Sequence, residues 1–252
     1  MPFDVDLVRQ NWPHPVSYFA TIDSTMLEAA RLAEAGCEEG TVVAADEQTA
    51  GQGRHGRRWH SEPGAGLYVS TVLRPDLAPD SLPVLTLALG LAAADAIEET
   101  ASVHCDLRWP NDVMIDSRKV AGILVQLLDG IAIAGIGVNV NHSAFPAEIA
   151  GEATSLRIAA GRQYSREALL VALLHAVERY LQILTGAAGK PRILGLFSQR
   201  SSYARNKRVK VDRGVAVVEG VTAGLDPSGF LILRKDDGTE DLVLAGGVRP
   251  AS

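Results

Sequence analysis

Residues 51–61, GQGRHGRRWHS, combine glycine with basic side chains in a chain whose formal net charge is −6. The glycines are Gly51, Gly53 and Gly56, and the arginines are Arg54, Arg57 and Arg58. Glycine lets backbone N–H groups approach a bound anion closely, and the arginine guanidinium is a planar donor fork that suits carboxylate or phosphate. The alternative is a solvated hairpin loop. In an acidic protein, this density of glycine and arginine favours an anion-binding site.

The same glycines satisfy the pattern G-x-G-x-x-G, which in dinucleotide-binding proteins lies between a strand and a helix. In this sequence the segment that follows, GLYVSTVL, predicts a strand instead. The dinucleotide-binding interpretation is therefore rejected, although the glycines can still serve a different anion.

A second group of polar residues lies in RWPNDVMIDSRKVAG, residues 108–122. Pro110 and Asn111 predict a turn, Asp112 is flanked by apolar residues, and Lys119 precedes the apolar run VAGILVQLL. A lysine at the start of a buried strand is either an edge charge that reaches solvent or a buried cation that pairs with an anion. The residues alone leave both interpretations open.

A third segment, GIGVNVN at residues 135–141, places two glycines next to two asparagine side chains. Such a segment indicates either close approach of the backbone to a ligand or an ordinary glycine-rich strand end. Neither interpretation is favoured by the sequence alone.

Other catalytic patterns are absent from the sequence. It contains no G-x-S-x-G, and the spacing of TGAAGKP near residue 189 does not match a phosphate-binding loop. The histidines show no metal-ligand spacing and are predicted to be structural or solvated. They occupy positions 14, 55, 60, 104, 142 and 175.

The composition describes a globular protein with a sizeable core. Of its 252 residues, 47% are hydrophobic, and the isoelectric point near 5.5 argues against a general nucleic-acid-binding protein, which would need a basic face. The N-terminus lacks a signal pattern, and the longest apolar run, interrupted by Asp95, is too short to span a membrane. Cys37 and Cys105 form no CxxC pair, which fits a reducing compartment. We expect a cytoplasmic location.

The elements that must position these side chains alternate between helices and strands. IDSTMLEAARLAEAG predicts a helix in which Thr25 and Glu28 form a capping box and Gly36 ends the helix. Residues 84–99 predict a buried helix, and SREALLVALLHAVERYLQIL predicts an amphipathic one. The predicted strands are TVVAADEQ, GLYVSTVL, LRWPNDVMI, KVAGILVQLLD and IAIAGIGVNVN.

After about residue 205 the sequence consists of short strand-like segments separated by Gly and Asp turns, which predicts a small antiparallel barrel. The polar stretch SQRSSYARN marks the boundary. We therefore predict a mixed α/β (α+β) domain at residues 1–204 and a small all-β domain at residues 205–252.

Five motifs together resemble the biotin protein ligases, the biotin–[acetyl-CoA-carboxylase] ligases. The motifs are DST at 23–25, EQTAGQGRHGRRW at 47–59, RWPNDVMIDSRKVAGIL at 108–124, GIGVNVN at 135–141 and ATSL at 153–156. The resemblance extends from about residue 17 to the C-terminus. It implies a catalytic domain with a mixed sheet, like those of class II aminoacyl-tRNA synthetases and biotin/lipoate ligases, and a C-terminal SH3-like barrel. About 16 residues precede the region of resemblance, which implies the short form without the N-terminal DNA-binding domain.

The resemblance also implies roles for individual residues. Those implied to contact biotin are Ser24, Thr25, Gln48, Gly51, Arg54, Lys119, Gly122 and Leu124. Those implied to contact the nucleotide are Arg57, Trp59 and Asn139. Arg54 and Lys119 are implied to act in catalysis, as the cations near the biotin carboxylate and the α-phosphate, whereas the metal ligands are not identified.

Three positions depart from the family pattern. Gln52 stands where the family usually has arginine, so the loop has one cation fewer. Met26 replaces the usual asparagine after DST, and Arg108 replaces the usual lysine with conservation of charge.

The implied activity is a two-step ligation with ATP and Mg²⁺ as co-substrate and biotin as substrate. Biotinyl-5′-AMP forms first, and the biotin then passes to a lysine of a biotin carboxyl carrier domain. We expect no DNA partner and no membrane partner, and we expect the protein to be a monomer or a homodimer. The alternatives are a lipoate- or octanoate-type ligase of the same architecture and a non-enzymatic biotin-sensing regulator.

Overall fold

The structure, a computed structural model, describes residues 3–77, 81–212 and 217–251. Within these ranges the chain forms a seven-stranded sheet and a five-stranded sheet, with six helices. The helices are α1 (Val5–Asn11), α2 (Thr25–Glu34), α3 (Leu82–Ala101), α4 (Leu156–Ala160), α5 (Arg166–Thr185) and α6 (Gly189–Arg200).

The larger sheet has the strand order β1-β2-β3-β7-β6-β5-β4. Its strands are β1 (Val16–Ile22), β2 (Val42–Gln48), β3 (Gly66–Leu73), β4 (Asp106–Arg108), β5 (Asp112–Ile115), β6 (Arg118–Leu128) and β7 (Ile131–Asn139). β1 and β2 are parallel, whereas the other neighbouring pairs are antiparallel. The predicted α/β fold with a mixed sheet is confirmed.

Helices cover both faces of this sheet. On one face, α2 places Met26 and Ala29 against Val43 of β2 and Ile133 of β7. On the other face, α3 packs in the main core together with α5. The central strand β3 is buried along its whole length because it is covered on both sides.

The predicted helix at residues 84–99 is confirmed as α3, whose apolar residues are buried on nearly all sides. α5 is long and apolar enough to cross a membrane by length and composition. Its leucines at 169, 170, 173 and 174 are buried against the core, as expected for a core helix of a globular domain.

The C-terminal sheet is antiparallel throughout, with the strand order β11-β10-β9-β8-β12. Its strands are β8 (Arg205–Asp212), β9 (Val217–Leu225), β10 (Leu231–Arg234), β11 (Glu240–Val243) and β12 (Gly247–Pro250). The predicted strand VAVVEGVTAGLD begins at residues 215 and 216, which lie outside the described ranges. The antiparallel strands are confirmed, and closure of the sheet into a barrel stays a prediction.

The two sheets touch through specific contacts. The Trp109 indole donates a hydrogen bond to the Gly229 carbonyl oxygen at 2.9 Å, and Arg249 of β12 pairs with Glu152. A buried indole N–H that finds its acceptor in the turn between β9 and β10 fixes the C-terminal sheet against the hairpin of β4 and β5.

Some local predictions were wrong. Thr25 is the first residue of α2 rather than its cap, Ser24 occupies the cap position, and Glu28 pairs with Arg31 instead of closing a capping box. The capping box fails because the Thr25 hydroxyl bonds to Gln48 and Ser70 inside the protein.

Two further predictions need correction. LRWPNDVMI is not one strand, because the turn predicted at Pro110 and Asn111 separates β4 from β5, which pair as an antiparallel hairpin. The boundary stretch SQRSSYARN is also not purely a linker, since α6 extends to Arg200. The sequence patterns did not predict α1 or α6.

Candidate ligand-binding site

Two connected pockets lie over the middle of the larger sheet. The outer pocket has a volume of about 360 Å³, and the inner pocket, which reaches toward the start of α2, has a volume of about 50 Å³. Five residues line both pockets and so mark their junction. They are Gly53, Arg54, Trp59, Asn111 and Lys119.

The Trp59 side chain lies directly on the backbone of β6 and β7. Gly122 and Gly137 are paired across these strands. A Cβ atom would lie 2.9 Å from the Trp59 ring at Gly122 and 2.5 Å from it at Gly137. Only glycine permits this approach, which explains two glycines that face each other in adjacent strands. The glycine-rich strand therefore accommodates a side chain of the protein itself and also lines the inner pocket.

The polar end of the inner pocket is formed by Thr25 and Gln48. The Gln48 Oε1 atom accepts hydrogen bonds from the Thr25 backbone N–H at 2.9 Å and from the Thr25 hydroxyl at 3.0 Å. The Gln48 amide group donates to the Ser61 hydroxyl at 3.2 Å. Met26 and Leu124 contribute apolar side chains to the same pocket. The inner pocket can thus hold a molecule that is mostly apolar and has a polar end.

A carboxylate at the junction holds two cations. Lys119 Nζ lies 2.5 Å from Asp112 Oδ1, and Arg108 donates to Asp112 Oδ2 at 2.8 Å. Burial disfavours the charged carboxylate, but Lys119 and Arg108 outweigh burial and lower the pKa of Asp112 below its usual range. The Lys119 side chain is 27% exposed and lies 5.2 Å from the centroid of the Trp59 ring. It is neither a free edge charge nor an isolated buried cation.

Arg54 lies in the glycine–arginine loop, residues 51–58, and reaches across the junction. Its guanidinium donates to Asn111 Oδ1 at 3.2 Å and to the carbonyl oxygen of Gly246 at 3.4 Å. Burial lowers the pKa of Arg54, although Asp112 partly opposes this effect. The second contact joins the loop to the C-terminal sheet.

The loop itself is a short hairpin rather than an open coil. The Gly53 N–H donates to the Arg57 carbonyl oxygen at 2.7 Å, and the Trp59 N–H donates to the Gly51 carbonyl oxygen at 2.9 Å. His55 has φ 58°, a left-handed conformation that is uncommon outside glycine. The hairpin directs the Arg54 and Trp59 side chains into the junction.

The remaining arginines of the loop are exposed. Arg57 lines the outer pocket, and its charge contributes to the lowered pKa of Arg54. Arg58 lines the same pocket, and its guanidinium donates to the Thr49 carbonyl oxygen at 2.8 Å. The outer pocket can therefore hold an anion that is larger than a single carboxylate.

Asn139 connects the Lys119 strand with the ATSL motif at 153–156. Its amide nitrogen donates to the Thr154 carbonyl oxygen at 3.0 Å and to the Lys119 carbonyl oxygen at 3.4 Å. The Lys119 N–H in turn donates to the Glu152 carbonyl oxygen at 2.7 Å. These bonds fix one wall of the outer pocket.

The structure brings together nine of the eleven residues that the resemblance implied for the site. Those nine line one or both pockets, and they are Thr25, Gln48, Arg54, Arg57, Trp59, Lys119, Gly122, Leu124 and Asn139. Ser24 and Gly51 do not line either pocket. Ser24 is buried, and its hydroxyl lacks a hydrogen-bond partner within the described residues, as does the indole N–H of Trp59. Both groups can still bond to a ligand or a bound water.

The sequence did not assign several residues of the site. The RWPND motif contains Arg108, Asn111 and Asp112, to which the sequence assigns no role. The C-terminal region contributes Ala245, Gly246, Gly247 and Val248 to the wall of the outer pocket. A signal existed for the first three, because charged and amide side chains next to a predicted turn are suited to binding. No signal marked Gly246, since its contribution is a backbone carbonyl oxygen.

Comparison with known proteins supports this architecture. The "Biotin/lipoate A/B protein ligase family" matches residues 18–142, and the "Biotin protein ligase C terminal domain" matches residues 206–247. The chain belongs to this family and, within it, to the biotin protein ligases, as the sequence motifs had indicated.

Among similar proteins is the bifunctional ligase/repressor BirA of Bacillus subtilis, 36% identical over 240 residues, which cover 90% of this chain and 72% of the relative. The biotin–[acetyl-CoA-carboxylase] ligase of Mycobacterium tuberculosis is 32% identical over 223 residues, 86% of this chain and 81% of the relative. A solved structure, the biotin protein ligase from Aquifex aeolicus in complex with biotin and ATP, is 32% identical with a TM-score of 0.83. That match covers 94% of this chain and 99% of the other.

Proposed function

We propose that this chain activates biotin with ATP to form biotinyl-5′-AMP, and then transfers the biotin to a lysine of a biotin carboxyl carrier domain. The observation that carries the proposal is the pair of connected pockets with Arg54 and Lys119 at their junction. The similar Aquifex enzyme was solved with both biotin and ATP. The curated relatives named biotin–[acetyl-CoA-carboxylase] ligase support a carboxylase carrier domain as the acceptor.

The inner pocket is the proposed biotin site. Thr25 and Gln48 supply donor and acceptor groups for the ureido ring, while Gly122 and Leu124 line the space for the rest of the molecule. Ser24 adds a buried hydroxyl without a hydrogen-bond partner in the described residues. Gly51 acts indirectly, because a side chain there would lie 2.9 Å from the Trp59 carbonyl oxygen and displace the loop.

The outer pocket is the proposed ATP site. Arg57 lies where it can contact the phosphates, Asn139 supports the wall for the adenine, and Trp59 separates the nucleotide from biotin. Mg²⁺ would bind mainly to the phosphate oxygens, because oxygen ligands are those that it prefers. Asp112 and Glu152 line this pocket, but they are already paired with Lys119 and Arg249. The ion would supply neutralisation of the triphosphate charge.

The first step joins two anions, and the cations at the junction make that approach possible. A biotin carboxylate oxygen attacks the α-phosphorus, a new P–O bond forms, and the bond to pyrophosphate breaks. Coulomb repulsion between unit charges 4 Å apart is about 1 kcal/mol in water and about fourfold larger near a protein surface. Lys119 and Arg54 offset this repulsion and stabilise charge on the pentavalent phosphorus.

The second step needs no nucleophile from the enzyme. The lysine ε-amine of the carrier attacks the carbonyl carbon of the mixed anhydride, an amide bond forms, AMP leaves, and the amine loses a proton. Catalysis in both steps consists of positioning and electrostatic stabilisation.

The polar end of the inner pocket favours biotin over lipoate or octanoate. The tails of those acids lack groups that could replace the hydrogen bonds of a ureido ring. A site built to bond a polar head rejects an apolar analogue, because its own buried polar groups are left without partners. The Ser24 hydroxyl is a group of this kind, since it is buried and has no hydrogen-bond partner within the described residues.

The decisive experiment incubates the enzyme with Mg-ATP, biotin and a purified biotin carrier domain, and measures the mass of the carrier. Addition of one biotin supports the proposal. Exchange of pyrophosphate into ATP, with biotin, lipoate and octanoate in separate reactions, identifies the acid. If no acid supports exchange, and a gel-shift assay shows biotin-dependent DNA binding, the chain is instead a regulator.

We further propose that residues 1–204 form the catalytic unit and residues 205–252 the small C-terminal one. The family match that begins at residue 206 and the end of α6 at Arg200 support this division. The cytoplasmic location, the absence of DNA and membrane partners, and a monomeric or homodimeric state remain predictions.

A further inference from the structure

A second cluster of reactive side chains lies at the edge of the outer pocket, and none of its members has a role in the proposed function. One nitrogen or oxygen atom from each of His60, Glu62 and His142 lies within 4.8 Å of the corresponding atoms of the other two. His60 and Glu62 follow the glycine–arginine loop, whereas His142 follows β7. The separation in sequence explains why metal-ligand spacing was not visible, and why these histidines were predicted to be structural or solvated.

The hydrogen bonds around His142 determine which ring nitrogen is free. The Tyr68 hydroxyl donates to the Glu62 carbonyl oxygen at 3.0 Å, so its oxygen can accept from His142 Nε2, 3.4 Å away. This assigns the imidazole proton to Nε2. Nδ1 then carries a lone pair, and within the described residues it is buried without a hydrogen-bond partner. A buried acceptor without a partner is uncommon in folded proteins and calls for an explanation.

We propose that His60, Glu62 and His142 bind a divalent transition-metal ion of the Zn²⁺ class, with His142 contributing Nδ1. Two imidazoles and one carboxylate form a ligand set suited to Zn²⁺, and they leave one position for water. The nitrogen ligands distinguish this site from the oxygen-lined site for Mg²⁺. The Tyr68 hydroxyl would serve as the outer hydrogen-bond partner that orients the ligating ring.

Such an ion would connect two segments that border the outer pocket. His60 lines that pocket, and the His142 ring stacks on Phe145, another lining residue, with centroids 5.0 Å apart. A bound ion would hold the chain after Trp59 against the end of β7. The proposal does not depend on the proposed ligase function, because metal binding is measured without biotin or ATP.

The test titrates Zn²⁺ into the metal-free full-length chain by isothermal titration calorimetry in a buffer that does not chelate metals. We expect one equivalent to bind with saturation, and we expect the melting temperature to rise with the logarithm of the Zn²⁺ concentration above the dissociation constant. His60→Gln and Glu62→Gln should each weaken binding at least about tenfold. The control is His104→Gln, which removes a histidine that is 91% exposed, pairs with Glu98 and is not part of the cluster, and it should bind like the wild type.

Because His60 is only half-buried and Glu62 is exposed, their glutamine variants should fold, which thermal unfolding without metal will verify. Co²⁺ provides a second measurement, since coordination by imidazole in a four-ligand site intensifies its visible absorption. The proposal is overturned if the wild type shows no saturable binding. It is equally overturned if both glutamine variants bind as tightly as the wild type, or if His104→Gln weakens binding as much as they do.

Discussion

The ammonium group of Lys119 lies 2.5 Å from Asp112 Oδ1, at the junction of the two pockets. Asp112 also accepts a hydrogen bond from Arg108, so one carboxylate positions two cations. Lys119, Arg108 and Asp112 together carry a net charge of +1. The cluster can therefore still attract the two anions that react at the junction. The ion pair with Asp112 explains why a partly buried lysine can stand at the start of an apolar strand.

Removal of the Lys119 charge should abolish most of the adenylation activity. Lys119→Ala leaves an anionic ligand uncompensated in a partly dry site, at a cost of about 2–5 kcal/mol, or roughly 30- to 5,000-fold in rate. Lys119→Arg should retain far more activity because the charge remains. The measurement is biotin-dependent exchange of pyrophosphate into ATP, with circular dichroism to verify folding. Alanine activity within about threefold of the wild type would show that Lys119 only balances Asp112.

The lowered pKa of Asp112 should make the stability of the folded protein depend on pH in the acid range. In the folded state the Asp112 carboxylate stays charged to a lower pH than in the unfolded chain, where its pKa has the ordinary value of about 3.9. As pH falls below that value, the unfolded state takes up the proton first, so stability present above pH 4 is progressively lost. Urea unfolding between about pH 6 and pH 3 should therefore show a weaker pH dependence for Asp112→Asn than for the wild type. Parallel curves would mean that the pair adds no net stabilisation.

A methyl group at Gly137 should disturb the junction through Trp59. The added Cβ would lie 2.5 Å from the indole, so the ring must move, and overpacking of this kind costs about 1–3 kcal/mol. We expect Gly137→Ala to shift the tryptophan emission and to weaken biotin binding about tenfold or more. Gly195→Ala is the control, because a Cβ there meets no atom within 4 Å. Unchanged emission and biotin affinity in Gly137→Ala would refute this account of the glycine pair.

The sequence predicted the central part of the fold well and the contacts between distant segments poorly. Long apolar runs such as α3 and β6 are recognisable from their hydrophobicity and length, and α5 is recognisable from its helical periodicity. The polar partners of Thr25 do not, because Gln48 and Ser70 come from different strands, and their bonds override the local capping pattern. His142 gave no signal for the same reason, since its neighbours His60 and Glu62 are distant in the chain.

The roles of the loop residues were also only partly predictable. Glycine and arginine content indicated an anion site, and motif resemblance placed Arg54 and Lys119 in it. The contact of Arg54 with the Gly246 carbonyl oxygen was not predictable, because a backbone acceptor carries no residue-type signature. The departure at Gln52 can now be placed, since this residue pairs with Arg58 in the loop hairpin and lines the inner pocket.

The two cysteines should differ sharply in reactivity. Burial raises the pKa of Cys105 to about 12, so its thiol stays protonated and inaccessible at pH 8, whereas Cys37 is only half-buried. Iodoacetamide should therefore modify the native protein once, at Cys37, and the unfolded protein twice. Intact mass and peptide mapping provide the measurement. Native modification at Cys105 as fast as at Cys37 would show that α3 and β4 open readily.

Arg54 should help the enzyme to retain biotinyl-5′-AMP until the carrier lysine reacts with it. Biotinyl-5′-AMP reacts with any nearby amine once it leaves the enzyme, so retention depends on contacts to the intermediate and on closure of the loop. Arg54 lines both pockets and bonds to Asn111 and Gly246. Its planar fork can bridge carboxyl and phosphate oxygens, and its contact with Gly246 holds the loop closed against the C-terminal sheet.

Arg54→Gly should therefore weaken the binding of biotin and of the intermediate about ten- to a hundredfold, the value of one charge-assisted hydrogen bond of about 1.5–3 kcal/mol. Some adenylation should remain, because Lys119 and the backbone donors of the loop are intact. The freed intermediate should then biotinylate bystander proteins, which streptavidin blotting of serum albumin incubated with enzyme, biotin and ATP will detect. Arg74→Gly is the matched control, since it removes an exposed arginine that bonds to the Cys37 carbonyl oxygen, and it should leave albumin unlabelled. If Arg54→Gly makes adenylate but leaves albumin as clean as wild type does, Arg54 does not retain the intermediate, and the cations of this loop serve only to bind ATP.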